Sequence, residues 1–299
     1  MSALIKPHEI QGTDEWKEWR RSRGGASEVA ALMGCSPWFP RTPYELWLVK
    51  TGRAEVPEND AMRYGSQHEA AARAAAEVAY GAVFEPQTVE KGRIIASLDG
   101  ITFDGETILE IKVPASGFKS ETWKAVDAEK RVPDHYWWQV QQQLYCSGAL
   151  KAIFAVFVPT GVHTPEFAHT FVHVLPDAQA HEAIKAAWAQ FFEHLDADTP
   201  PPLTERDVRE REDAEWAAAA QAWREAKQRL DEASKAEKAA RETLIKLAGE
   251  QSSWGAGVKA TRYFVAGNID YKRAAEDAGV DLSRYQKPGR WQWRLTESE

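Results

Sequence analysis

The chain of 299 residues is long enough for one large or two ordinary domains, and its 43% apolar and 27% charged composition is that of a globular protein with ample core. A net charge of −8 argues against a tight, non-specific coat on nucleic acid but leaves room for a locally basic, metal-loaded cleft; the acidic excess lies in residues 1–204, because residues 205–299 carry equal numbers of basic and acidic side chains. Residues 1–11 hold no apolar run of the kind a secretory signal needs, residues 152–158 are too short to cross a bilayer, and the two distant cysteines, Cys35 and Cys146, form no C-x2-C pair, so a reducing cytoplasm is expected and zinc or iron–sulfur ligation is not.

Taken in order, residues 14–23 read as a short helix with Asp14 as its cap, Trp16 and Trp19 on one face and Arg20, Arg21 and Arg23 around them. Gly24-Gly25-Ala26-Ser27 follows, and Ser27 is placed to cap a helix over residues 28–33. A helix amino terminus with a hydroxyl and a nearby arginine is a ready phosphate site; plain capping with solvated arginines accounts for the same residues. Thr42 caps a helix reaching Lys50, and residues 61–80 form a long alanine-rich helix. On it Glu69 either faces a site as an extra carboxylate or pairs at the surface with Arg73, four residues on, and His68 has no second histidine at metal spacing.

Residues 94–113 organise the rest of the chain. Two apolar runs flank Asp104-Gly105, which favours a tight hairpin turn. Asp99 ends the first run. Glu110 and Lys112 share one face of the second, and Leu109, Ile111 and Val113 take the other. A glutamate and a lysine alternating with core residues are costly to bury unless something pairs with them. A divalent cation between Asp99 and Glu110, with Lys112 beside it, meets that demand, and oxygen ligands suit Mg²⁺ or Mn²⁺. The pattern D-x10-E-x-K looks like the PD-(D/E)xK nuclease motif; taken alone, E-x-K on an amphipathic strand is also a common solvated ion pair.

Further on, residues 121–130 and 136–146 read as helices, the second with glutamines on more than one face; residues 152–158 and 170–174 as strands; and residues 177–195 as a helix. Residues 1–195 thus predict an α/β fold, a mixed central sheet flanked by helices. Pro200-Pro201-Pro202 breaks the chain. Beyond it, Trp216, Trp223, Leu230 and Leu244 recur at sevens, interrupted by Glu237, with Ala219, Ala226, Ala233, Ala240 and Leu247 three residues later. That is an a/d seam on a long helix that packs against a partner. A strand or hairpin over 257–266, a short helix over 271–278 and the alternating aromatics of Arg290-Trp291-Gln292-Trp293-Arg294 complete a small α+β tail. The division expected is residues 1–204 and 205–299.

Five motifs in order, Trp16-x3-Arg20-x6-Ser27-Glu28, Gly65-x3-Glu69, Ser97-x-Asp99-Gly100, Glu110-x-Lys112 and Gln139-x-Gln141, resemble the YqaJ-type viral recombinase family, which includes the exonuclease of phage lambda. The resemblance covers about residues 16–174 and not the tail. It implies a restriction-endonuclease-like core and a 5′-to-3′ exonuclease on double-stranded DNA that leaves a 3′ single strand for an annealing protein. It further implies a phage or prophage protein in a bacterial cytoplasm and a homo-oligomer, a trimer in the lambda member. Carried over, Asp99, Glu110 and the carbonyl of Ile111 are metal ligands, with Glu69 near a second Mg²⁺ or Mn²⁺. Lys112 is the catalytic lysine. Arg20, Ser27, Ser97 and Gln139 hold the terminal 5′-phosphate. Two rivals are an endonuclease of the same superfamily, which has no use for a terminal-phosphate pocket, and a non-catalytic DNA-binding scaffold, which has no use for Asp99, Glu110 and Lys112.

Overall fold

The computed structural model describes residues 14–161, 166–208, 211–265, 267 and 270–288. The chain forms two compact units, Met1–Arg209 and Glu210–Glu299. In the first, the elements run α1 (Asp14–Arg21), β1 (Gly24–Gly25), a 3₁₀ turn (Ala26–Glu28), α2 (Val29–Leu32), α3 (Pro43–Lys50), α4 (Asp60–Tyr80), β2 (Glu85–Lys91), β3 (Ile94–Ile101), β4 (Thr107–Lys112), α5 (Glu121–Asp127), α6 (Asp134–Ser147), β5 (Lys151–Pro159), β6 (Phe167–Val174) and α7 (Ala178–Asp196). Side-chain caps start the helices where the sequence supplies them: Thr42, Asn59, Ser120 and Asp177 each accept from an amide of the first turn.

The strands make one mixed sheet in the order β1-β3-β4-β5-β6, with β2 also paired to β3. β3 and β4 are antiparallel, β4 and β5 parallel with α5 and α6 in the crossover, and β5 and β6 antiparallel. One face packs Leu98, Ile108, Phe154 and Val156 against Val29, Leu46, Val140, Leu144, Ile184 and Trp188, so α2, α3, α6 and α7 cover it. The other packs Leu109, Ile111, Ile153 and Phe157 against Ala72 and Ala76 of α4. This is the mixed sheet flanked by helices that the sequence predicts, with every expected strand and helix of residues 14–196 present. β2 has no apolar alternation to announce it, for only Val89 is buried in it. Several boundaries differ, four of them with a consequence for the site or the caps. The β3–β4 link spans residues 102–106 rather than a two-residue turn, because Thr102 and Thr107 close it through Thr102 N–H to Thr107 O (2.9 Å) while Gly105 takes φ +74° inside. α1 starts at Asp14, which places that residue in the helix instead of before it. α5 stops at Asp127. Ser27 caps nothing: it sits within the 3₁₀ turn, and α2 is a single turn that begins after Glu28.

The second unit is built on α8 (Ala214–Ala248), 35 residues long and capped by Asp213, followed by β7 (Ser253–Gly255), β8 (Val258–Ala260) and α9 (Tyr271–Asp277). The hairpin turns at Ala256-Gly257, both with positive φ, so it lies earlier than the 257–266 expected from the sequence. Arg290-Trp291-Gln292-Trp293-Arg294 lies outside the described residues.

Candidate active site

β3 and β4 pair at Gly100–Leu109 and Ile101–Ile108, and no ladder pairing extends beyond these two positions toward Asp99 and Glu110. Where the ladder stops, Asp99 takes over its function: its Oδ2 accepts from the backbone N–H of Ile111 at 2.7 Å. The strands part at this point because a carboxylate, not a main-chain carbonyl, bridges them, and the fork holds Asp99 and Glu110 side by side.

Period-two alternation puts Glu110 and Lys112 on the sheet face opposite Leu109 and Ile111, toward α6. Glu110 is 2% exposed, so its carboxylate needs donors, and it has three. Lys112 Nζ donates to Oε1 at 2.5 Å, Gln139 Nε2 to Oε1 at 2.7 Å, and Gln143 Nε2 to Oε2 at 2.5 Å. Gln139 and Gln143 are four apart on α6 and so share a face. Gln143 Nε2 also donates to Ser97 O (3.1 Å), while its Oε1 is buried without a partner. Both acceptors face the nitrogen, so flipping the amide would set oxygen against oxygen; the orphan is Oε1. The adjacent glutamines do other work. Gln142 donates to Gly24 O and Ile95 O and accepts from Trp188 Nε1, tying β1, β3 and α7, while Gln141 joins α6 to Leu175 and Asp177.

The charges are unbalanced in a telling way. Burial, reinforced by the neighbouring Glu110 and by Glu69, raises the Asp99 carboxyl well above the ordinary carboxylate value, in spite of Lys112 and the Ile111 amide. Burial alone would depress Lys112, yet Glu110, Tyr136 and Asp99 hold its ammonium above its usual value; the Tyr136 ring lies 4.6 Å from Nζ. His135, beside this group, is pushed down to about 4 by burial and by Lys112. Two hard carboxylates held side by side, next to an orphaned amide oxygen, fit a divalent cation with a water ligand. Among the described residues no three or more His, Cys, Asp or Glu side chains form a ready cage. Glu69 explains this: Arg73 holds its Oε1 at 2.6 Å and donates through Nε to Asp99 O at 2.5 Å, so the helix glutamate stands next to the fork with its charge answered by arginine. The pairing with Arg73 expected from the sequence is thus present. His68 hydrogen-bonds Tyr64 O and stacks on the Tyr64 ring.

Arg20 and Ser27 form a second group. Arg20 donates to Ser27 Oγ at 3.4 Å, pairs with Glu28 at 3.1 Å and lies over the Trp16 ring. Lys50, 5% exposed, meets Glu28 at 2.7 Å and Arg20 O at 2.9 Å. Burial pushes the Glu28 carboxyl up, but Arg20 and Lys50 together overcome it and hold it below the ordinary value. A Cβ at Gly25 would come 2.4 Å from Arg20 Nη2 and 2.9 Å from Glu28 Oε2, so a side chain there would displace this ion pair. Ser97 Oγ lies 3.5 Å from Thr88 Oγ, and Gln139 is engaged with Glu110. The 3₁₀ turn carrying Ser27 packs on both α6 and β3, the elements of Gln139 and Ser97, although among the described residues no side-chain hydrogen bond joins all four. Gln143 and Lys50 belong to these two groups without having been expected there from the sequence. The i,i+4 spacing from Gln139 is the signal that could have found the first.

Residues 15–150 match the family model of the YqaJ-like viral recombinase domain, as the five motifs predict. The uncharacterized protein YqaJ of Bacillus subtilis (strain 168) is 31% identical over 154 residues, 48% of this chain and 46% of that protein, so the match spans about half the relative's length. Among solved structures, the alkaline exonuclease LHK-Exo from Laribacter hongkongensis superposes with a TM-score of 0.48 at 24% identity, over 62% of this chain and 94% of that one. Its complex with dAMP gives 0.49 over the same shares. A phage-related exonuclease from Haemophilus somnus 129PT gives 0.48 at 13% identity, over 59% and 96%. No helix among the described residues is long and apolar enough to cross a membrane.

Proposed function

We propose that residues 1–204 are a metal-dependent deoxyribonuclease that degrades duplex DNA from a 5′ end and leaves a 3′ strand for a single-strand annealing protein in recombination, residues 205–299 being a separate module. The observation that carries this reading is the fork at which Asp99 and Glu110 meet with Lys112 against Glu110. Asp99, Glu110 and the carbonyl of Ile111 supply oxygen ligands for Mg²⁺ or Mn²⁺, and Glu69 supplies one for a second ion once Arg73 releases it. When bound, the cation lowers the pKa of a ligated water and neutralises charge on the phosphodiester. Gln139 and Gln143 fix the plane of the Glu110 carboxylate, and Gln143 Oε1 is left to accept from a water in the fork. Lys112 acts as a cation toward the developing phosphate charge and orients the attacking water. Arg20, with Ser27, Ser97 and Gln139, receives the terminal 5′-phosphate by charge-assisted hydrogen bonds. The test of the chemistry is a linear duplex, end-labelled on either strand, incubated with Mg²⁺ or with chelator. Degradation with Mg²⁺ alone, absent in Asp99→Ala, is expected; full activity in Asp99→Ala contradicts the site.

A further inference from the structure

The seam of α8 stands open. No side chain of this 35-residue helix is buried, and Trp216, Leu230 and Leu247 are 49%, 60% and 79% exposed. A row of large apolar side chains on a helix some 50 Å long is not left to water without a partner.

We propose that α8 pairs with α8 of a second copy of this chain, antiparallel and closely spaced. Size patterning selects the orientation. The a positions hold Trp216, Trp223, Leu230, Glu237 and Leu244, and the d positions hold Ala219, Ala226, Ala233, Ala240 and Leu247. In a parallel pair like meets like: Trp216 and Trp223 would oppose their own copies in layers that alternate with Ala–Ala layers. The first need wide axial separation and the second a narrow one, and one pair of helices cannot have both. Antiparallel, each a position meets a d position. With Leu230 set against Ala233 of the second copy, Trp223 falls on Ala240, Leu244 on Ala219 and Trp216 on Leu247, so a large side chain meets a small one in all but the terminal layer.

Charge selects the same orientation. Glu237 stands at an a position and pairs on its own helix with Arg241, at 2.6 Å. A parallel pair would set it against Glu237 of the second copy, two like charges inside the seam. The antiparallel register sets it against Ala226, beside Lys227. The flanking e and g positions include Ala220, Ser234, Ala222, Ala236 and Thr243, short enough for close approach. Counting a, d, e and g positions, about 20 residues a side take part, the size of an ordinary specific interface.

The experiment uses the full chain. Light scattering of wild type is compared with Ala226→Gln/Ala233→Gln, which keeps helix propensity but fills the seam; circular dichroism and nuclease activity serve as folding controls. The variant's mass is expected to fall to half that of wild type. Orientation is read by oxidation in a Cys35→Ala/Cys146→Ala background: a mixture of Ala219→Cys and Leu244→Cys proteins is expected to cross-link, and Ala219→Cys alone is not. Unchanged mass in the filled variant overturns the pairing, and that is the result a seam covered by the same chain would give. Self-cross-linking of Ala219→Cys overturns the orientation.

Discussion

Gln143 Nε2 donates to Glu110 Oε2 across 2.5 Å, and this bond fixes the carboxylate on which the proposed metal site depends. Gln139 holds the other oxygen from one turn earlier on α6. Partners that orient a ligating carboxylate typically matter by 10–100-fold in metal affinity, so Gln143→Leu should weaken Mn²⁺ binding by about that factor. Isothermal titration of the folded protein reads this directly. An affinity equal to wild type would reduce Gln143 to a core-filling residue.

Removing charge at the fork separates stability from chemistry. Asp99 is held above its ordinary pKa by burial and by Glu110, so its ionised form is strained in the metal-free protein. Asp99→Asn should therefore melt higher than wild type in chelator while losing the additional stabilisation that Mn²⁺ gives wild type. Scanning calorimetry with and without Mn²⁺ checks both halves. A lower melting temperature in chelator would mean that the Asp99–Ile111 bond outweighs the repulsion.

Glu28 makes the Arg20 cluster pH-sensitive. Its folded pKa is depressed, so its contribution is present above the ordinary carboxylate pKa and is lost as pH falls through the folded value. Wild type should thus lose stability faster than Glu28→Gln as pH drops from about 5 toward 2. At neutral pH Glu28→Gln leaves Lys50 buried without its counter-charge and should cost about 3–5 kcal/mol. Urea melts across that range measure it; parallel curves would contradict the cluster.

The difference between what was legible in the sequence and what was not follows from how far each feature depends on contacts distant in the chain. Asp99, Glu110 and Lys112 stand out because period-two alternation around a turn is local, and α8 because sevens repeat along one helix. Ser27 misled: a serine before an apolar run satisfies the capping rule, but Glu28 accepts from Gly25 N–H at 2.8 Å and tightens the segment into a 3₁₀ turn. Gln141, Gln142 and Gln143 are adjacent and chemically identical, yet they bond Leu175, Ile95 and Glu110, and only the folded sheet assigns those partners. β2 was silent because it is held by the ladder to β3 rather than by burial.

A metal site served by a pocket for a 5′ end is tested most directly by strand-resolved digestion. Linear duplexes bearing a 5′-phosphate or a 5′-hydroxyl are digested in Mg²⁺ by wild type and by Arg20→Ala, with each strand labelled in turn. Charge-assisted hydrogen bonds contribute about 1.5–3 kcal/mol each, so losing one or two slows the reaction roughly ten- to ten-thousand-fold. Wild type is expected to degrade from the 5′ end and to prefer the phosphate by such a factor, Arg20→Ala to lose most of the preference, and Lys112→Ala and Glu110→Ala to be inactive on either end. Equal rates on both ends, or digestion from the 3′ end, would contradict it.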